Sequence, residues 1–244
     1  MSAMLDSPFE NKLAATRATL ERIAAEFAPA VLASSLAAED MVLTDLILRA
    51  QLPIKVFTLE TGRLHKETLG MVDRIREVYG YEVALYKPDA AAVDTYVRTH
   101  GLNAFYDSVE MRKECCRIRK VDPLNRALAG NAAWITGQRR SQSTTRNELA
   151  VQEDDPSHGM QKFNPLADWS EEDVWHYIRS NDVPYNPLHD QGYPSIGCEP
   201  CTRAIQPGED IRAGRWWWEQ PESKECGLHV VDGKLVRIKA AQEA

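Results

Sequence analysis

Apolar side chains at Leu13, Leu20, Ile23 and Phe27 fall on one helical face, so the spacing predicts an amphipathic helix from about Glu10 to Phe27, ended by Pro29. The apolar run Ala30 to Ser34 then reads as a first strand. A small-residue turn, Ser34-Ser35-Leu36-Ala37-Ala38-Glu39-Asp40, leads into a helical pattern through Met41, Leu43, Leu46 and Ile47. Ile54 to Leu59 is a second strand, followed by Glu60-Thr61-Gly62-Arg63 and a helix carrying Leu64, Leu69, Val72, Ile75 and Val78. Tyr81 to Tyr86 reads as a third strand and Ala90 to Arg98 as a short helix.

Ser108 to Leu128 is helical in pattern and strongly basic, and Ala132 to Thr136 is the next strand. Val151 to His158 is acidic and polar, which predicts an exposed run. Met160 to Leu166 reads as a final strand, and Asp168 to Asp173 opens a capped helix continuing through Val174, Tyr177 and Ile178. Pro184 to Gly197, rich in Pro, Gly and Asn, must be irregular. Strands alternating with helices at this spacing imply right-handed βαβ units, a mostly parallel α/β sheet with helices on both faces, and ligands at the carboxyl ends of the strands. The loops after the first two strands are therefore the expected pocket walls.

Composition narrows the class. At 244 residues, 43% hydrophobic and 27% charged, the chain has room for one substantial core, and one domain (residues 1–205) plus a C-terminal extension (206–244) is expected. No stretch approaches the roughly 20 apolar residues of a membrane span, and the N-terminus lacks the apolar core of a secretory signal, so a cytoplasmic protein is expected. A net charge of −7 argues against nonspecific nucleic-acid binding. Any anionic ligand must be met by a local basic cluster.

One loop and one turn are candidates for it. Gly137 to Arg146 follows a predicted strand and carries Arg139, Arg140 and Arg146 among several hydroxyls, which makes it the best anion site in the chain against the plainer reading of a solvated loop. The turn at Ser35 also suits phosphate or sulfate, but without the Gly-rich and Lys signature of a Walker loop it reads equally well as a helix cap.

The five cysteines divide into two tight pairs, Cys115-Cys116 and Cys198-Glu199-Pro200-Cys201, and a lone Cys226. In a reducing compartment such spacing favours metal binding or catalysis over disulfides. Arg112, Lys113, Arg117, Arg119 and Lys120 surround the first pair and would offset the charge of four thiolates on an iron-sulfur cluster. Adjacent cysteines strain a single tetrahedral ion but reach different irons of a cubane, so a cluster is favoured, with a zinc ion or structural thiols as the alternatives. Cys226 lies two residues from Lys224 and three from His229, beside Gly227, in surroundings that suit a thiolate nucleophile.

The ordered set SSLAAED, LETGRLHKET, KECCRIRKVDPL, TGQRRSQSTTR, GCEPCTRA, AGRWWWE and KECGLH closely resembles the assimilatory adenosine 5′-phosphosulfate reductases, the cluster-bearing branch of the phosphoadenylyl-sulfate reductase family, from about Ser34 to His229. The resemblance implies an ATP-pyrophosphatase-like fold and a [4Fe-4S] cluster on Cys115, Cys116, Cys198 and Cys201. It implies thioredoxin, or a glutaredoxin-like protein, as reductant, a homo-oligomer, and a place in sulfate assimilation. Cys226 would attack the sulfonate sulfur and become an S-sulfonate, from which the reductant releases sulfite.

By motif, Lys120 would lie between cluster and substrate, and His229 near the nucleophile. Ser35, Leu59, Gly62, Gly137, Arg139, Arg146, Arg212 and Arg215 would contact the substrate. A mobile C-terminal tail that closes over the substrate is expected, with Trp216-Trp217-Trp218 as a packing anchor rather than a thioredoxin surface. Three rivals are a reductase that also takes the 3′-phosphorylated substrate, an ATP-using enzyme on the same fold, and a non-catalytic zinc-stabilised nucleotide-binding module.

Overall fold

The computed structural model describes residues 7–142 and 148–220. Helix α1 (Pro8–Glu26) starts where Ser7 Oγ accepts from the Glu10 amide at 3.2 Å and Pro8 supplies a residue that needs no N–H partner. It is followed by β1 (Ala30–Ala33), α2 (Ala38–Arg49), β2 (Ile54–Leu59), α3 (Lys66–Tyr79), β3 (Ala84–Tyr86) and α4 (Ala90–His100). Next come α5 (Val109–Cys116), α6 (Asp122–Leu128), β4 (Ala133–Ile135), β5 (Gln152–Asp155), β6 (Met160–Phe163) and α7 (Glu171–Ser180). No helix among the described residues is long and apolar enough to cross a membrane.

The sheet order is β3-β2-β1-β4-β6-β5, parallel except for β5. Successive strand residues serve opposite faces. Ala30, Leu32, Ile54, Val56, Ala133 and Ile135 join one core with α1, α2, α3 and α7, whereas Val31, Phe57 and Trp134 pack with Leu124, Ala127 and Leu128 of α6. Burial on both sides explains why these strands read as continuous apolar runs. The chain reverses its winding between β1 and β4, so the crevice expected for ligands lies above their carboxyl ends.

Three elements depart from the sequence pattern. The polar run after Val151 contributes β5, an edge strand held by cross-strand polar pairs, such as Lys162 to Glu153 at 2.7 Å, rather than by apolar burial. The third strand begins only at Ala84, because the Tyr81 hydroxyl itself accepts from the Val56 amide (2.9 Å). The basic segment is not one helix: α5 passes through a π turn, Arg117–Val121, before α6. Pro123 has no N–H to donate to the Arg119 carbonyl, and the ladder shifts register just ahead of it.

Residues 206–220 fold back onto the segment that precedes them. The Arg203 amide donates to Gly214 O at 3.0 Å, the Trp216 amide to Cys201 O at 3.1 Å, and Trp216 is buried.

Candidate active site

A cavity of about 260 Å³ opens at the β1/β4 crevice. Its first wall is the β1–α2 turn. Ser35 donates to Asp40 Oδ2 from its amide (2.6 Å) and its hydroxyl (2.5 Å), while the Gly137 amide, arriving from β4, donates to Oδ1 at 3.0 Å. One carboxylate thus ties together the two loops that flank the switch point. Burial pushes the Asp40 carboxyl up to about 6, and the bonds from Ser35 and Gly137 oppose that rise without cancelling it. A side chain at residue 137 would run into Asp40 and lie 2.9 Å from Glu39 Cβ, so only glycine allows this approach. Leu36 sits at φ 64, a left-handed conformation rare for leucine, and its full burial helps to hold it there.

The second wall is the loop after β2. Gly62, at φ 71, lets the chain turn so that its amide reaches Glu60 Oε1 (2.6 Å), and Arg119 donates to Thr61 O at 2.7 Å. Thr61 Oγ1 lies 3.3 Å from Cys198 Sγ, and the Glu199 amide donates to Arg63 O at 2.8 Å. This loop therefore joins the cavity to the cysteine segment.

Of the four paired cysteines, Cys116, Cys198 and Cys201 are buried and Cys115 is half-buried, and none is in a disulfide. Cys198, Cys201 and Cys115 pack with Phe105 and Trp216, bringing two distant sequence segments together. Burial raises Cys115 and pushes Cys201 up to about 12; Cys198 adds to both, while Arg119 acts on Cys115, and Lys120 and Arg215 on Cys201, in the opposite sense. Among the described residues, no three His, Cys, Asp or Glu side chains are grouped so that they could hold a metal ion.

Of the cations the sequence assigns to the site, Lys120, Arg212 and Arg215 line the cavity, Arg139 does not, and Arg146 lies outside the described residues. Lys120, on the π turn, lines the cavity and acts on Cys201. Arg212 and Arg215 line the opposite side. Arg215 is buried, donates to Ser195 Oγ and Ile196 O (both 3.3 Å), and stacks on Trp216 with its guanidinium 4.7 Å from the ring centroid. Arg112 also lies 4.7 Å from that centroid.

Among the described cations, Arg139 is the exception. Its Nε and Nη2 donate to Glu39 Oε1 at 2.9 and 2.8 Å and its Nη1 to Ser141 Oγ at 2.7 Å, so the buried guanidinium supports a cavity wall rather than lining the cavity. Ser35, Leu59 and Gly137 do line it, and Gly62 lies just outside. Cys226, His229 and Arg146 lie outside the described residues. Sequence reasoning gave Asp40 and Thr61 no role. For Asp40 the signal was a carboxylate five residues after Ser35 in a turn short of glycine; for Thr61 nothing local could have shown its cysteine partner.

Comparison with known proteins agrees with this geometry. Residues 29–204 match the phosphoadenosine phosphosulfate reductase domain. The adenosine 5′-phosphosulfate reductase of Burkholderia cepacia is 65% identical over 212 residues, 87% of this chain and 84% of that protein. The crystal structure of phosphoadenylyl-sulfate reductase from Candida auris, a phosphate complex, superposes with a TM-score of 0.67 at 26% identity, covering 84% of this chain and 98% of that one. The FMN adenylyltransferase of Candida glabrata, at 15% identity and a TM-score of 0.58 over 89% of this chain and 76% of that one, shares the fold alone. On the family match and the relative at 65% identity, this chain, with its ATP-pyrophosphatase-like sheet, belongs to the phosphoadenosine phosphosulfate reductase family, in the branch of the adenosine 5′-phosphosulfate reductases.

Proposed function

We propose that this chain reduces adenosine 5′-phosphosulfate to sulfite and AMP, with thioredoxin as electron donor, in the cytoplasmic assimilation of sulfate. The observation that carries this reading is one cavity bounded by the Ser35 turn, by Lys120, Arg212 and Arg215, and by Trp216, against which Cys115, Cys198 and Cys201 pack. The nucleotide lies over the β1/β4 crevice with its phosphosulfate toward the three cations, which offset the charge of an anion approached by a thiolate. The Cys226 thiolate attacks the sulfonate sulfur, and the S–O bond to the phosphate breaks with its electron pair leaving on AMP. Cys226 then carries the S-sulfonate. A thioredoxin thiolate attacks Cys226 Sγ, sulfite departs with the electron pair of the S–S bond, and the second thioredoxin thiol resolves the mixed disulfide. The two electrons come from the thioredoxin dithiol, and His229 assists beside the nucleophile.

Cys115, Cys116, Cys198 and Cys201 would hold a [4Fe-4S] cluster. The chemistry of the donor set suits it: four thiols, none in a disulfide, two of them raised by burial and by neighbouring thiols, beside the cations Arg119, Lys120 and Arg215, which would offset a cluster's negative charge. Bound there, the group supplies fixed charge and a cross-link between the two segments. Lys120 relates it electrostatically to the substrate.

Discrimination against a 3′-phosphate has a physical basis. Among the described residues of the Gly137 to Arg146 loop, Arg139 is engaged by Glu39, and Arg140 by Asp168 and the Leu149 carbonyl, so neither of these two guanidiniums is turned to an extra phosphate. The test is sulfite release from sulfur-labelled adenosine 5′-phosphosulfate by anaerobically purified protein with thioredoxin, beside the 3′-phosphorylated analogue and C226S. Release from the first substrate, much slower release from the second and none from C226S is expected; comparable rates would show dual specificity, and no release in protein carrying iron would overturn the reading.

A further inference from the structure

Helix α2 starts without a local cap. Its N-cap residue is Ala37, which has no side-chain acceptor, so the Ala38 amide must find a partner elsewhere. It donates to Nε2 of His189 at 3.2 Å, across 151 residues of sequence. A ring nitrogen accepts only when it carries no proton. The acceptor role of Nε2 therefore calls for the neutral Nδ1–H tautomer.

The tie joins two cavity walls. The turn from Ser35 to Asp40 forms one, and the segment continuing from His189 reaches Pro194–Gly197, which forms another. The imidazole is clamped edge-to-face by Trp175 of α7, ring centroids 5.3 Å apart. Burial lowers its proton affinity, while the carboxylates of Glu39 on α2, Asp190 beside it and Glu171 on α7 act in the opposite sense. Arg139, Arg179, Tyr185 and Glu209 share the same hollow, a space of about 470 Å³ next to the cavity. A second proton on the ring would set N–H against N–H and break the tie.

We propose that His189 is a positioning residue: by accepting from the Ala38 amide in its neutral form it holds the β1–α2 turn against the Pro194–Gly197 wall, and so sets the affinity of the cavity for an anionic sulfonucleotide. The proposal rests on the reading of the cavity given above. A histidine whose proton affinity is lowered on folding stays neutral above the ordinary value near 6.5, so the tie is intact at neutral pH and is lost as pH falls through the lower native value.

Binding of adenosine 5′-phosphosulfate to the full chain carrying C226S, measured by calorimetry from about pH 8 down to about pH 5, tests it, because the nucleophile is removed and the ligand has no group titrating in that range. Affinity in this background should fall about tenfold in acid, the loss of one well-placed hydrogen bond. H189Q, whose amide oxygen can accept from Ala38, should keep neutral-pH affinity and lose the acid limb; H189F should bind about tenfold more weakly throughout. An acid limb in H189Q as steep as in the background would assign the effect elsewhere, to Asp40 first, and overturn the proposal, as would a flat background profile. Nitrogen-15 spectra of labelled histidine give a second readout, and an Nε2–H tautomer at neutral pH would also overturn it. No binding at any pH would sink the reading of the cavity and the proposal together, whereas binding without a His189-dependent limb would sink only the proposal.

Discussion

Arg112 and Glu219 form a two-armed ion pair, Nε to Oε1 and Nη2 to Oε2 both at 2.8 Å, with side chains 0% and 3% exposed. The pair joins α5, which ends in Cys115 and Cys116, to the last turn before the segment that carries Cys226. It anchors the chain at Glu219, seven residues before Cys226 in sequence.

Removing one partner leaves a buried charge, so R112M or E219L alone should cost about 3–5 kcal/mol, whereas R112M/E219L together should cost much less. Urea unfolding of the two single variants and the double one checks this. Equal losses in all three would mean that the pair contributes little beyond its packing.

Asp40 should leave a pH signature with a definite sign. Its folded value, about 6, lies above its ordinary 3.8, so the native state holds the extra proton between those values, and this residue's contribution to stability declines as pH rises through that window. Unfolding of wild type and D40N across the window should show wild type gaining on the variant as pH falls from about 6 toward about 4. A constant difference would show that burial does not perturb this carboxyl.

G137A adds a methyl where Asp40 and Glu39 already stand. Overpacking of this kind costs about 1–3 kcal/mol, and here it also pushes apart the two loops across the crevice. Binding of adenosine 5′-phosphosulfate should weaken by about tenfold or more, measured beside thermal unfolding. Unchanged affinity in a folded variant would show that the Asp40 link does not shape the cavity.

Arg139 is a charge the sequence offered to the substrate and the structure gives to Glu39. R139A should lower stability, by about 3 kcal/mol for a broken buried pair, yet leave the ratio of rates on substrates with and without a 3′-phosphate within about threefold. A large change in that ratio would restore Arg139 to the substrate.

The order of strands and helices was legible because apolar positions repeat on the period of each element. Ile54–Leu59 was read to the residue, and the cysteine pairs announced themselves by spacing. What escaped was made by distant partners. Gln152–Asp155 is a strand because Lys162 and Trp134 receive its acids, and no local propensity signals that. Glu39 claims Arg139 from 100 residues away, and Thr61 meets Cys198 only after folding. A basic periodic segment gives no warning of a π turn, since one added residue leaves the apolar positions on either side in order.

That added residue sets a phase. An α-helix rotates about 100° per residue, so a single deletion within Arg117–Val121 would let α5 run into α6 as an uninterrupted spiral and swing one end by that angle against the other. The cysteines before the insertion and the core leucines after it would then compete for their settings. The helix works as a cam whose two lobes, thiols and Lys120, are timed by one peptide unit, and chain length at this point is as constrained as any side chain around it.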